Sequence, residues 1–224
     1  MIVTLTGFMG SGKSSVGKVL AERLSCPFAD LDSLIEDGER RSIPDIFASD
    51  GEPAFRSLEL KYLAAFLSDH DFAAVPAGLA DKQASPKGSP MLKTVVAAPA
   101  TLTDKQASPK GSLMPVPTTM VDSVLALGGG TLTTEECAKL VKDKTFCIYL
   151  RATTDTLVEN LTGGEEGRPM LKGDSLRERI EELMAEREAM YEGTAHATID
   201  TDGQTYDETA DAILSILTAS SISK

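Results

Sequence analysis

The sequence has no tryptophan, only two histidines and only three cysteines in 224 residues. Cys26, Cys137 and Cys147 stand far apart, in no spacing typical of a metal site, and an odd number of cysteines gives no disulfide framework. These residue types therefore give no evidence for a metal centre built from cysteine and histidine. We expect the three thiols to be packing residues.

Basic residues are also few. The chain carries 22 Lys and Arg against 34 Asp and Glu, a net charge of −12, whereas proteins that bind nucleic acid or membrane surfaces present a basic face. We therefore expect no nucleic-acid partner and no membrane partner. Any anion site must be a local cluster of cations.

Long apolar runs are missing as well. No run approaches the ~20 residues that span a bilayer, and no basic segment precedes a cleavable apolar stretch at the N-terminus. The sequence thus predicts a cytoplasmic protein, and we expect a monomer. A hydrophobic content of 42% and a length of 224 residues are typical of one α/β domain with its own core.

The clearest motif is a glycine-rich segment at residues 7–14, with the sequence Gly-Phe-Met-Gly-Ser-Gly-Lys-Ser. An apolar run at 1–5 precedes it and a helix-like stretch at 15–24 follows, so the order is strand, turn, helix. This arrangement is a P-loop, in which backbone N–H groups and a helix N-terminus bind phosphate. Lys13 is expected to reach the β- and γ-phosphates and Ser14 to bind Mg²⁺. The predicted ATP-binding residues are Gly10, Ser11, Gly12, Lys13, Ser14 and Ser15.

Alternating strands and helices along the chain predict an α/β fold with a parallel sheet. Asp30 and Asp32 follow the second predicted strand, and Gly128, Gly129 and Gly130 follow the third. Ligands bind at these carboxyl ends in open parallel sheets. Strands are predicted at 1–5, 26–30, 121–127, 145–150 and 197–200, and helices at 15–24, 33–70 with two breaks, 134–142, 154–161, 175–191 and 206–217.

Residues 72–120 differ in composition from the rest of the chain. The segment holds seven of the eleven prolines and a near-repeat at 81–89 and 104–112. Such a composition buries too little apolar surface to offset the entropy of ordering. We expect an insert over about 72–120 that is disordered.

Six features in sequence order resemble the shikimate kinase family, small relatives of the nucleoside monophosphate kinases. They are the P-loop, Asp30-Leu31-Asp32, Gly51-Glu52 with Phe55-Arg56 and Glu59, the three glycines at 128–130, Arg168-Pro169-Met170-Leu171, and Arg187 with Tyr191. The resemblance covers essentially everything outside the insert. It implies one kinase domain over 1–224 with a three-layer P-loop kinase fold, a central five-stranded parallel sheet, substrate-binding helices at about 31–62 and a mobile lid at about 162–174.

The resemblance also implies a reaction, transfer of the ATP γ-phosphoryl with Mg²⁺ to the 3-hydroxyl of shikimate. Arg56 and Arg187 are then expected to bind the shikimate carboxylate, while Asp32 binds the ring hydroxyls and can accept the proton of the attacking one. Gly128, Gly129 and Gly130 complete the substrate site.

Further roles follow from the same resemblance. Asp30 is expected beside Ser14 at the Mg²⁺ ion, and Arg168 on the lid is expected to contact the nucleotide and stabilise the transferring phosphoryl. The predicted catalytic residues are therefore Lys13, Asp32 and Arg168.

Some alternatives remain open at the level of sequence. Glu59 lies three residues after Arg56, so it either holds Arg56 in place or forms a solvent-facing helix pair. Another small-molecule P-loop kinase such as a gluconate kinase, or a non-catalytic nucleotide-binding regulator, also has a P-loop. Leu161 stands where many relatives carry an arginine against the adenine, so we expect poor discrimination between ATP and GTP.

Overall fold

Strands and helices alternate along the computed structural model, which describes residues 1–71, 121–162, 169–171 and 175–222. The described strands are β1 (Ile2–Thr6), β2 (Phe28–Asp30), β3 (Ser123–Ala126), β4 (Thr145–Arg151) and β5 (Ala197–Asp200). The described helices are α1 (Lys13–Leu24), α2 (Leu31–Glu39), α3 (Ile43–Asp71), α4 (Glu135–Lys144), α5 (Thr154–Leu161), α6 (Leu176–Thr194) and α7 (Tyr206–Ile222), with 3₁₀ turns at Thr131–Thr133 and Pro169–Leu171.

The five strands form one parallel sheet in the order β2-β3-β1-β4-β5. This confirms the predicted five-stranded parallel sheet. Ala126 on β3 stands beside Leu5 on β1 and beside Asp30 on β2. The three segments that leave these strands therefore start at the same level of the sheet, and all three carry predicted site residues.

Alternation along the strands divides the core between the two faces of the sheet. On β4, Ile148 and Leu150 pack against α1 and α7, whereas Cys147 and Tyr149 pack on the opposite face with residues of α3, α4 and α6. Helices thus cover both faces, and the predicted three-layer fold is confirmed. Cys137 is buried with Cys147, and all three cysteines are free, as expected of packing residues.

A third apolar cluster lies beneath the P-loop. Phe8 from the loop packs there with Leu157 and Leu161 of α5 and with Ile180 and Leu183 of α6. Phe8 is 1% exposed and Leu161 is 0% exposed. The cluster joins the P-loop to the C-terminal part of the chain, so the loop rests on a packed base.

Helix α3 is interrupted at Gly51, whose backbone is not helical. The sequence predicts a break at this point, and Pro53 then falls in the first turn after it, where a missing N–H costs nothing. Strand β2 starts later than predicted. Pro27 has no N–H to donate to the ladder, although its carbonyl still accepts from the Val124 amide at 2.9 Å.

Two predicted segments fall largely outside the described residues. The insert at 72–120 does so entirely, and only 162 and 169–171 of the predicted lid at 162–174 are described, so Arg168 is also outside. Within the part of the chain that the structure describes, no helix is both long and apolar enough to cross a membrane.

Candidate active site

The P-loop connects β1 to α1 through residues with unusual backbone angles. Gly10 and Gly12 have φ of +85° and +86°, which glycine adopts without the steric cost that a side chain brings. Helix α1 starts directly after Gly12, and no side chain caps its N-terminus. The first amides of a helix have no partner within it, so this end of α1 suits a phosphate.

Lys13 folds back over the loop. Its ammonium donates to the carbonyl of Gly7 at 2.9 Å and to that of Phe8 at 2.8 Å, and the residue is 8% exposed. The Ser11 hydroxyl is buried without a hydrogen-bond partner among the described residues. The predicted nucleotide-binding residues therefore share one loop and one helix turn.

Ser14 and Asp30 meet at the side of the P-loop. The Ser14 hydroxyl donates to Asp30 Oδ2 at 2.5 Å. The other carboxylate oxygen, Oδ1, accepts from the amides of Asp32 at 3.1 Å and Ser33 at 3.5 Å and so caps α2. Asp30 is thus fixed by its own helix with one oxygen turned toward Ser14.

This pair suits Mg²⁺, which prefers oxygen ligands and commonly takes one or two protein groups together with phosphates and water. Among the described residues, no group of three or more His, Cys, Asp or Glu side chains could hold a metal by itself. A hydroxyl and one carboxylate next to a phosphate loop therefore fit an ion that arrives with a nucleotide.

A cavity of about 130 Å³ opens beside the P-loop. Side chains from α2, α3 and α6 and the turn after β3 surround it. All six predicted substrate-binding residues line it, which are Asp32, Arg56, Gly128, Gly129, Gly130 and Arg187. The structure therefore brings together residues that are widely separated in sequence.

Arg56 is held by two carboxylates. Its Nη1 lies 2.6 Å from Glu59 Oε2, and its Nη2 lies 2.7 Å from Glu52 Oε1. Glu59 is 0% exposed, so the pair does not face solvent and the solvent-facing alternative is wrong. Burial lowers the pKa of Arg56, but Glu59 and Glu52 more than offset it and raise the pKa above its ordinary value. The guanidinium end abuts Gly130, where a side chain would collide with it.

Arg187 reaches the same cavity from α6. The residue is 3% exposed, its Nη1 donates to the Gly129 carbonyl at 3.4 Å, and its Nε has no hydrogen-bond partner among the described residues. The hydroxyl of Tyr191, one turn further along α6, also donates to the Gly129 carbonyl. A buried cation with an unused donor suits an anionic ligand, because an unsatisfied buried donor is costly.

Asp32 is the acidic group of the cavity. Burial raises its pKa to about 7, and the negative charges of Asp30 and Glu59 act in the same direction, while Lys13 opposes them. Such a carboxyl can hold or release a proton near neutral pH. This property is typical of a residue that takes part in proton transfer.

The cavity and the P-loop are in contact. Met9, inside the glycine-rich loop, also lines the cavity. A methyl group added to Gly129 would lie 3.0 Å from the Met9 amide nitrogen, so the two loops approach closely through their backbones. A molecule in the cavity therefore lies next to a phosphate held by the P-loop.

Sequence reasoning missed several residues of the site. The apolar part of the lining comes from Met9, Ile43, Phe47, Phe55 and Met170. Phe55 is adjacent to Arg56 and Met9 lies in the P-loop, so their closeness to predicted site residues could have indicated that they line the cavity. Thr131, which follows the three glycines and contacts Glu59, was also missed.

A second cavity, of about 430 Å³, lies on another side of the P-loop. Its lining includes Ser11, Gly12, Asn160, Gln204 and Tyr206. Tyr206, at the start of α7, is 53% exposed. The Asn160 side chain donates to the Gly10 carbonyl at 2.9 Å.

Leu161 takes no part in this second cavity. A methyl group added to Gly10 would lie 2.9 Å from Leu161 Cγ, so this leucine packs beneath the loop. Its side chain is buried in the core and does not reach this cavity. Poor discrimination between ATP and GTP stays a prediction.

A parallel sheet of this order, a P-loop after β1 and an acceptor cavity beside it define a P-loop kinase of small molecules. A family model described as shikimate kinase matches residues 9–78 and 113–218. The chain belongs to the shikimate kinase family. It is therefore a phosphotransferase that uses ATP and acts on a small molecule.

Individual relatives agree with this assignment. A shikimate kinase from Salinibacter ruber is 33% identical over 227 residues, covering 98% of this chain and 85% of that protein. One from Zymomonas mobilis is 32% identical over 215 residues, covering 96% of this chain and 92% of that protein.

The fold also has a counterpart among solved structures. A shikimate kinase from Acinetobacter baumannii, solved in complex with shikimate, is similar with a TM-score of 0.72 at 24% identity, over 98% of this chain and 93% of that one. At this level of identity the likeness concerns the fold.

Proposed function

We propose that this protein transfers the γ-phosphoryl of ATP to the 3-hydroxyl of shikimate and forms shikimate 3-phosphate, a step of chorismate and aromatic amino acid biosynthesis. One observation carries the proposal. One buried arginine (Arg187), one partly buried arginine (Arg56) and one partly buried carboxyl (Asp32) face a single small cavity that shares Met9 with the P-loop. Shikimate, a ring with one carboxylate and three hydroxyls, matches this set of groups.

Arg56 and Arg187 bind the carboxylate in this proposal. Charge-assisted hydrogen bonds of this kind contribute roughly 1.5–3 kcal/mol each. Glu59 and Glu52 hold Arg56, and the Gly129 carbonyl holds Arg187, so both guanidinium groups are oriented before the substrate arrives. The three glycines let the ring approach the backbone.

Asp32 binds the ring hydroxyls and accepts the proton of the attacking 3-hydroxyl. The covalent step then forms a bond from the 3-oxygen to the γ-phosphorus and breaks the bond from that phosphorus to the β,γ-bridging oxygen, which leaves with ADP. The raised pKa of Asp32 makes its ionised form a better proton acceptor than an ordinary carboxylate.

ATP lies with its phosphates on the P-loop and its nucleoside toward the second cavity. Lys13 contacts the phosphates after leaving the Gly7 and Phe8 carbonyls. Ser14 and Asp30 would hold Mg²⁺, which when bound neutralises phosphate charge. Arg168, assigned from sequence alone, contacts the nucleotide and stabilises the transferring phosphoryl.

The organisation of the protein is part of the proposal. We infer one kinase domain over 1–224, with substrate-binding helices at about 31–62 and a mobile lid at about 162–174. We infer a cytoplasmic monomer, and from the net charge of −12 we infer that it has no nucleic-acid or membrane partner.

A coupled assay of ADP release tests the proposal. The full chain is supplied with ATP and Mg²⁺ together with shikimate, with gluconate or with no acceptor, and the product is identified by phosphorus NMR. We expect ADP release only with shikimate and a phosphate on the 3-oxygen. ADP release with gluconate alone would favour a gluconate kinase. No release with either acceptor would favour a non-catalytic nucleotide-binding regulator. Lys13→Ala, which removes the phosphate-contacting ammonium, is the inactive control.

A further inference from the structure

Thr131 is the first residue after the three glycines that has a side chain, and it is 0% exposed. Its amide donates to the Gly128 carbonyl at 3.2 Å, which fixes it in the turn after β3. Its hydroxyl donates to Glu59 Oε1 at 2.6 Å. The side chain thus leaves the glycine turn and reaches helix α3.

Glu59 is fully buried, and among the described residues each of its two oxygens has one hydrogen-bond partner. Oε1 accepts from Thr131, and Oε2 accepts from Arg56 at 2.6 Å. A buried carboxylate is costly unless both oxygens are satisfied. The hydroxyl therefore does more than join two elements, because it fixes the rotation of the carboxylate to which Arg56 is paired.

The oxygen that Thr131 contacts lies against the same glycine as a carboxylate oxygen of Asp32. A methyl group added to Gly128 would lie 2.6 Å from Asp32 Oδ1, 3.0 Å from Glu59 Oε1 and 3.0 Å from Thr131 Oγ1. The two carboxylates and the hydroxyl therefore converge on one glycine. Without the hydroxyl, Glu59 Oε1 would face Asp32 unpaired, and repulsion would favour turning Glu59 away from its position under Arg56.

We propose that Thr131 is a positioning residue for acceptor recognition: its hydroxyl orients Glu59, and Glu59 in turn orients Arg56 toward the substrate carboxylate. The inference rests on the proposed function, since it takes shikimate as the ligand of Arg56. Thr131 itself has no contact with the reacting atoms in this scheme.

The test compares Thr131→Val, which keeps the shape and removes the donor, with Thr131→Ser, which keeps the donor. Shikimate and ATP affinities are measured by titration calorimetry on the full chain, together with kcat, the two KM values and Tm. We expect Thr131→Val to weaken shikimate binding about fivefold or more and to change ATP affinity by less than about twofold. Thr131→Ser should restore shikimate binding to within about twofold of the natural chain.

Thr4→Val is the matched control. Thr4 is also 0% exposed, and its hydroxyl pairs with that of Thr145 at 2.8 Å inside the sheet. It should lower Tm as Thr131→Val does but leave shikimate affinity unchanged. In a Glu59→Gln background, Thr131→Val should have little further effect on shikimate affinity, because the carboxylate that it orients is gone.

Shikimate affinity of Thr131→Val equal to that of the natural chain would overturn the inference. So would equal weakening in Thr4→Val, or a full effect in the Glu59→Gln background. If Thr131→Val does not fold, Thr131→Ala removes the same donor with a smaller side chain and is judged by the same criteria. A natural chain without shikimate-dependent ADP release would instead overturn the proposed function, so the two failures are distinct.

Discussion

Asp32 is expected to act on the acceptor alone, and this can be tested with one substitution. Asp32→Asn should abolish turnover, because the amide cannot take the proton of the attacking hydroxyl, while MgATP affinity stays nearly unchanged. Calorimetry with MgATP and the coupled assay measure the two properties separately. Asp37→Asn, on the exposed side of α2, is the control and should keep its activity. A large loss of MgATP binding with intact shikimate binding would show that Asp32 belongs to the nucleotide site.

Arg56 and Arg187 should each be needed for acceptor binding. Arg56→Ala and Arg187→Ala are expected to weaken shikimate binding by about tenfold or more, at ~1.4 kcal/mol per decade, because each removes one charged partner of the carboxylate. The nucleotide Kd should change little. Arg41→Ala, which removes an exposed arginine paired with Asp50, serves as the control. Unchanged shikimate affinity in either variant would remove that arginine from the binding site.

The charged residues of the site could be predicted because each belongs to a short motif at a strand end or on a helix face. The apolar lining could not. Ile43 and Phe47 start α3, and Met170 lies in a 3₁₀ turn far along the chain, so their meeting depends on how α3 and α6 pack. Thr131 could not be assigned either, since its importance lies in a contact with Glu59, 72 positions away.

At the scale of elements, α5 supports the P-loop from below. Leu161→Arg would place a guanidinium in the apolar cluster beneath Gly10. We expect the free energy of unfolding to fall by about 2 kcal/mol or more, because an unpaired charge is buried. Chemical denaturation measures this loss.

Asn160→Arg is the informative comparison. Asn160 is exposed and lines the second cavity, so an arginine there can remain in solvent near the nucleoside. We expect the free energy of unfolding of Asn160→Arg to stay within about 0.5 kcal/mol of that of the natural chain, apart from the loss of the hydrogen bond to the Gly10 carbonyl. The ratio of kcat/KM for ATP and GTP in the natural chain and both variants then tests base discrimination. Equal stability of the two variants would contradict the position of Leu161 in the core.

The bounds of the helices and strands could be predicted from the periodicity of apolar residues where the local pattern is strong. The bounds of α5 and β5 match the prediction, since a threonine cap starts α5 and a short apolar alternation defines β5. Helices α6 and α7 run further than predicted, to Thr194 and Ile222, and α6 continues through Gly193 although glycine often ends a helix. The packing of the two parts of α3, before and after the interruption at Gly51, depends on tertiary contacts that no local pattern reveals.

At the scale of the whole molecule, the connection between α3 and β3 should be dispensable. The family model matches residues on both sides of 79–112 and leaves that stretch unmatched, so we expect that the family fold does not require it. We predict that replacing residues 73–119 with a short Gly/Ser link keeps kcat within a factor of about three. The closure entropy of a long loop costs on the order of 1–2 kcal/mol, so Tm should rise modestly.

Activity assays and thermal denaturation of this deletion variant decide the point. The link must leave β3 unstrained, because the glycine turn of the acceptor cavity follows directly after it. Variants with links of two different lengths control for strain in β3. Folded but inactive protein with both links would mean that the segment takes part in catalysis.

Met9 belongs to the phosphate loop and to the acceptor cavity at once, and Gly129 approaches its amide closely. Any shift of this backbone on ATP binding therefore changes the surface that shikimate meets. Thermodynamic linkage then requires reciprocity: the factor by which ATP changes the affinity for shikimate equals the factor by which shikimate changes the affinity for ATP. If ATP shifts this backbone, the affinity of each site varies with the occupancy of the other.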